Sequence, residues 1–187
     1  MDEEQRALKE MLAALRFAAV RHRDQRRKGV DSAPYINHLI EVAEVLAGCG
    51  VLDPVTLRAA VLHDTLEDTE TTPAELERIF GVEVRSVVEE VTDDASLPKH
   101  ERKQRQIERA PNLSERARRL KIADKISNIR DIARHAPDGW SIERRRGYVE
   151  WAARVVDGCR GTSECLERRF DAEFEIGIRL LQDHSDG

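Results

Sequence analysis

The 187-residue sequence is poor in helix breakers and in sheet builders, with ten glycines, six prolines and 4% aromatic residues. Charged residues reach 36%, against roughly 25% in an average domain. That combination favours amphipathic helices with wet outer faces over a β-rich fold. Cysteine is also scarce. Cys49, Cys159 and Cys165 form no CxxC pair, and an odd number gives no disulfide framework, so reduced thiols in a cytoplasmic setting are expected. No apolar run approaches the roughly 18 residues of a membrane span. The acidic start Met1-Asp2-Glu3-Glu4 lacks the apolar core of a signal peptide. Positive charge is not in excess either: 31 Lys and Arg stand against 36 Asp and Glu, a net charge of −5. A general nucleic-acid binder would be basic, so that class is disfavoured.

What is present suffices for a core. Hydrophobic residues make up 40% of a chain whose length suits one domain. The spacing predicts a helix over 3–24, with Leu8, Met11, Leu12, Leu15, Ala18 and Ala19 as its apolar face. A basic run, Arg26-Arg27-Lys28, leads into a loop over 29–34. A second helix is expected from Tyr35 to Ala47, striped by Ile36, Leu39, Ile40, Ala43, Leu46 and Ala47 and ended by Gly48 and Gly50. Asp53-Pro54 reads as an N-cap and first helical position, opening a helix that is apolar nearly all round at Ala59–Leu62. Thr72 and Glu75 form a capping-box pattern for a helix that stops at Gly81. Further helices are expected over 83–91, 98–109, 115–135 (capped by Ser114), 141–158 and 162–182. No segment alternates with period two, so the expected fold is all-α, with one domain spanning 1–187.

The strongest anomaly is His63-Asp64-Thr65-Leu66-Glu67-Asp68, directly after the buried run. His63 with Glu67, and Asp64 with Asp68, are i, i+4 pairs that share a face. Four protonatable groups in one place would repel or shift their pKa values unless a cation sat among them. Neighbours on one helix cannot surround an ion, so other segments must contribute. His38, at the margin of the second helix's stripe, and Asp124, beside the apolar face of Ile122, Ile126 and Ile129, are the candidates. Taken alone, His38 reads as a core histidine and Asp124 as an ion-pair partner of Lys121 or Arg134.

The ordered set PYINH, HDTLEDT, EEVTDD, LKIADKISNIRD and GYVEWA resembles the HD metal-dependent phosphohydrolases. Within them it is similar to the alarmone-hydrolase domain of the Rel/SpoT family, in its small stand-alone metazoan form. The resemblance covers roughly residues 8–180 and implies a helical HD-domain fold with no synthetase domain. It implies His38, His63, Asp64 and Asp124 as metal ligands, and Glu67 and Asp68 as the pair handling the attacking water. It also places Arg27 and Lys28 over the nucleotide and Arg144 and Tyr148 near the terminal phosphates. Asn128, one turn beyond Asp124, is a candidate contact to sugar or base. The sequence departs from the family at Leu39, where proline is common, and at Ser127, where tyrosine often stands.

Two imidazoles and two carboxylates make a mixed nitrogen and oxygen site suited to Mn²⁺, with Fe²⁺, Co²⁺ or Zn²⁺ also compatible. The implied activity is release of the 3′-pyrophosphate from guanosine tetra- and pentaphosphate alarmones, leaving GDP or GTP. The expected partner is therefore a small nucleotide, not nucleic acid and not a membrane. The competing readings are a phosphatase on adenosine alarmones or on the 2′-phosphate of NADPH, a non-catalytic alarmone-binding module, and a helical adaptor.

Overall fold

The computed structural model of the protein describes residues 2–29 and 32–183. Val30 and Asp31, within the expected loop, lie outside the described residues. Among the described residues the chain forms α1 (Glu3–Arg21), α2 (Ile36–Gly48), α3 (Pro54–Leu62), α4 (Thr65–Asp68), α5 (Pro73–Phe80), α6 (Val82–Val91), α7 (Lys99–Arg109), α8 (Glu115–Arg134), α9 (Ile142–Asp157) and α10 (Glu164–Asp183). A short 3₁₀ turn at Ala110–Asn112 joins α7 to α8. No strand occurs among these residues; one isolated bridge between Arg26 and Pro34 closes the loop before α2.

Local chemistry sets the helix starts. Asp53 accepts from the Thr56 backbone N–H and hydroxyl at 3.0 and 2.6 Å, and Pro54 occupies the first turn of α3. Ser114 and Ser141 cap α8 and α9 in the same way. Thr72 caps α5 by accepting from Glu75 N–H. The Glu75 carboxylate does not complete a capping box, because Arg21 of α1 takes it at 2.5 Å. Gly81, at φ 87°, turns the chain from α5 into α6 in a conformation that other residues resist.

The core lies between α3 and α8. Val55, Ala59, Ala60, Val61 and Leu62 of α3 are buried, as are Leu120, Ile122, Ala123, Ile126 and Ile129 of α8. α3 packs on α1, α2 and α6, and α8 on α2, α9 and α10. The apolar stripes differ in detail from the sequence expectation. On α1 the inward face is Met11, Ala14, Leu15 and Ala18, while Leu8 and Leu12 face solvent at 61% and 57% exposure. On α2, Val42 and Val45 are buried and Ile40 is exposed. Several apolar residues flank each true stripe, and only packing against α3 and α8 selects the inward ones.

The cysteine expectation is corrected. Cys49, just past α2, and Cys165, at the start of α10, form a disulfide with Cα atoms 5.5 Å apart. Cys159 remains a buried thiol. The sequence separation of 116 between Cys49 and Cys165 hides a pair that the docking of α10 brings together.

Candidate metal centre and substrate cleft

The α3 helix ends at Leu62, and His63 and Asp64 form a break before the single turn of α4. Across this break the Asp68 N–H still donates to the Asp64 carbonyl at 2.9 Å, and after burial and Asp93, Asp64 and Asp68 both help to raise the Glu67 pKa, so the acidic groups stay close to one another. His63 and Asp64 turn inward, with His63 Nε2 3.2 Å from Asp64 Oδ2. Glu67 instead accepts from Arg102 at 3.2 Å and from the Asp93 backbone N–H at 3.3 Å. Asp68 accepts from Gln25 at 2.8 Å.

His38 arrives from the first turn of α2 and Asp124 from the middle of α8. His38 Nε2 lies 3.2 Å from Asp124 Oδ1 and 3.8 Å from Asp64 Oδ2, and His63 Nε2 lies 3.7 Å from Asp124 Oδ1. Donor atoms of His38, His63 and Asp124, all buried, fall within 4.8 Å of one another. Asp64 stands at the edge of this cluster and accepts from the Tyr35 hydroxyl at 2.7 Å. Asp124 is held by Asn128 Nδ2 at 2.6 Å on one oxygen and by Lys125 at 3.0 Å on the other. Its ion-pair partner is thus Lys125, not Lys121 or Arg134. Lys121 donates to the Val91 carbonyl at 2.8 Å, and Arg134 faces Glu173.

The donor set fits a divalent cation. His63 Nδ1 contacts the Ala60 carbonyl at 2.7 Å, so it carries the proton and Nε2 of the neutral ring is a bare lone pair. That Nε2 is buried, has no hydrogen bond, and faces two carboxylates. Lone pairs directed at one another need a positive charge between them. Without an ion a proton supplies it: burial pulls the His63 pKa down, but Asp64 and Asp124 outweigh it and push it up to about 10. Burial raises Asp64 and Asp124, yet the cations around them hold both below the ordinary carboxylate range.

Next to the cluster opens a cleft of about 380 Å³, walled by Arg27, Lys28, Tyr35, Asp68, Lys99, Asn128, Trp140 and Tyr148 among others. Arg27 is not a solvated charge. It donates to Asp131 at 2.6 Å and to Asn128 at 3.2 Å, and its guanidinium lies 5.7 Å from the Tyr35 ring centroid. Gly29 follows; a Cβ there would sit 2.5 Å from the His135 carbonyl oxygen, so only glycine lets this loop reach the end of α8. Lys28 is exposed. Arg144 stacks 4.1 Å from the Trp140 centroid at the rim rather than in the wall. Burial, then repulsion from Arg144, Lys28 and Arg102, holds Lys99 below the ordinary lysine value. Cations crowded in this way fit a polyanion.

The structure brings His38, His63, Asp64 and Asp124 together, with Asp68, Arg27, Lys28, Asn128 and Tyr148 along the cleft; Glu67 is held on the α6–α7 side of the break. Sequence reasoning missed Tyr35, Lys99, Lys125, Arg102 and Trp140. Tyr35 and Lys125 sit beside motif residues, which is a usable signal. Lys99 and Arg102 come from α7, whose sequence reads as an ordinary charged helix.

Residues 14–149 match the HD domain family. The chain is 54% identical over 167 residues to the Homo sapiens guanosine-3′,5′-bis(diphosphate) 3′-pyrophosphohydrolase MESH1, covering 89% of this chain and 93% of that protein. It is 46% identical over 165 residues to the Drosophila melanogaster enzyme of the same name, covering 87% and 92%. A solved structure described as a metazoan ortholog of SpoT that hydrolyzes ppGpp superposes with a TM-score of 0.86 at 45% identity, covering 89% of this chain and 94% of the other.

Proposed function

The chain belongs to the HD-domain family, and from its likeness to the guanosine-3′,5′-bis(diphosphate) 3′-pyrophosphohydrolases we propose that it removes the 3′-pyrophosphate of guanosine tetra- and pentaphosphate. The observation that carries this reading is the convergence of two imidazole and two carboxylate donors beside a cation-lined cleft. His38, His63, Asp64 and Asp124 would hold one divalent ion; mixed nitrogen and oxygen donors suit Mn²⁺, and Fe²⁺, Co²⁺ or Zn²⁺ are compatible with them. When bound, such an ion polarises a phosphoryl oxygen and acidifies water.

The chain's own residues supply the rest. Arg27, Lys28 and Lys99 attract the charged phosphates, and Arg27 with Tyr35 offers flat faces for a base. Burial, then Asp93 and Asp64, raises the Glu67 pKa, which suits it to take up a proton from attacking water. Asp68, in the cleft wall, is the partner carboxylate. As the water oxygen bonds to phosphorus, the bond from phosphorus to the 3′ oxygen breaks. The proton passes to that oxygen, so a free 3′-hydroxyl and pyrophosphate leave. The helices share one core, which supports a hydrolase unit with no synthetase domain among these residues. No described helix is long and apolar enough to cross a membrane. A cytoplasmic site of action goes with a signalling nucleotide as substrate, and there the Cys49–Cys165 bond would meet reductants.

A substrate panel with purified protein and Mn²⁺, resolved by ion-exchange chromatography, tests the reading. Guanosine tetraphosphate should yield GDP and pyrophosphate faster than adenosine alarmones or NADPH are cleaved. EDTA should abolish turnover and Mn²⁺ restore it. Preference for another nucleotide, binding without turnover, or full activity after exhaustive chelation would overturn it.

A further inference from the structure

His63 and His38 face the same cluster but are oriented by different means. His63 Nδ1 is fixed by a backbone carbonyl, that of Ala60 at 2.7 Å. His38, in the first turn of its helix, contacts a side chain instead: Nδ1 lies 2.9 Å from Ser127 Oγ. Behind Ser127 stands a row of charged groups. Ser127 Oγ is 2.7 Å from Glu41 Oε2, Arg130 donates to Glu41 Oε1 at 3.0 Å, and the same guanidinium donates to Glu173 of α10 at 2.8 Å.

Deepening the metal-site reading above and resting on it, we infer that Ser127, backed by Glu41 and Arg130, is a positioning residue that sets the tautomer of His38 and so presents its Nε2 lone pair to the ion. A serine hydroxyl has one hydrogen to give. The Glu41 carboxylate, paired with Arg130, only accepts, so that hydrogen goes to Glu41 Oε2. Ser127 is then an acceptor toward the ring, and His38 Nδ1 must carry the proton. Nε2 of the neutral ring is left bare, 3.2 Å from Asp124 Oδ1 and 3.8 Å from Asp64 Oδ2. Ser127 is wholly buried, so water does not compete for these bonds. The row spans α2, α8 and α10, tying the ring's orientation to the docking of three helices. Partners of this kind orient metal-binding histidines generally, and their loss costs about 10- to 100-fold in metal affinity.

The test is Mn²⁺ binding to the purified protein without substrate, read from the electron paramagnetic resonance of the free ion. Ser127→Ala should weaken Mn²⁺ about 10- to 100-fold. Substrate KM measured at saturating Mn²⁺ should stay near wild type. Glu41→Ala does not touch the ring; it frees the Ser127 hydroxyl to donate to Nδ1, and should weaken Mn²⁺ as well. In the double variant the losses should not add, because both act through one row. Thermal melting of each variant separates this from loss of fold. Wild-type affinity in Ser127→Ala, or fully additive losses, overturns the inference. If the wild type binds Mn²⁺ and His38→Ala does not, while Ser127→Ala and Glu41→Ala bind normally, the metal reading stands and only this inference falls. If the wild type binds no Mn²⁺, both fall.

Discussion

Glu67 shows how one side chain's role depends on what holds it. Arg102 and the Asp93 N–H fix its two oxygens, while burial and the neighbouring carboxylates raise its pKa above the ordinary 4.5. A base must be deprotonated, so turnover should climb with pH through a limb displaced upward from 4.5. Glu67→Gln should lower kcat by about 10²-fold or more and remove that limb, with Mn²⁺ content unchanged. Asp93→Asn, which removes the second largest cause of the shift, should move the limb to lower pH. Steady-state kinetics across pH check both. Arg27 and Lys28 separate at the same scale. Lys28 is exposed, so Lys28→Ala should raise KM about two- to fivefold and flatten its salt dependence, with kcat and melting temperature kept. Arg27→Ala strips Asp131 of its cation, so it should also destabilise the protein by roughly 1–3 kcal/mol. Kinetics at two ionic strengths, paired with thermal melts, distinguish them.

Among the helices, the ends carry more of the function than the middles. At the end of α3, His63 and Asp64 stand in the cluster, one turn before Glu67 and Asp68 on α4. Asp53 secures the other end of α3 through Thr56, and Arg116 of α8 adds a contact at 2.8 Å. Asp53→Ala should therefore cost about 1 kcal/mol for the cap and more for the lost ion pair. Burial raises the Asp53 pKa, but Thr56 and Arg116 outweigh it and hold it below 3.8. A depressed folded-state pKa means the contribution is complete above 3.8 and is lost as pH falls through the folded value. Thermal melts of wild type and variant should differ at neutral pH and converge in acid.

Across the whole molecule, the Cys49–Cys165 bond joins positions 116 apart in sequence and ties the end of α2 to α10. A loop of that length is stabilised by roughly 4–5 kcal/mol in the chain-entropy account. Dithiothreitol, or Cys49→Ser with Cys165→Ser, should lower the melting temperature. Turnover at moderate temperature should persist, because Cys49 is roughly 16 Å along α2 from His38 at 1.5 Å per residue. Melts with and without reductant, alongside a thiol count, decide it.

Much of this protein is written locally. Helix type and order followed from 3.6-residue periodicity and from caps at Asp53, Thr72 and Ser114, since those signals act within one or two turns of chain. His38, His63, Asp64 and Asp124 were legible because a His-Asp pair after a buried run is costly without a cation, and because the ordered motifs resemble a known family. Long-range choices were decided by tertiary structure alone. Which of Leu8, Leu12 and Ile40 face water, where Glu75 sends its carboxylate, and which cysteines meet depend on helices far apart in the chain. Arg102 on Glu67, Tyr35 on Asp64 and Ser127 on His38 belong to the same class. A hydrogen bond needs two groups within about 3 Å, and only the packed arrangement of α2, α7 and α8 sets that distance.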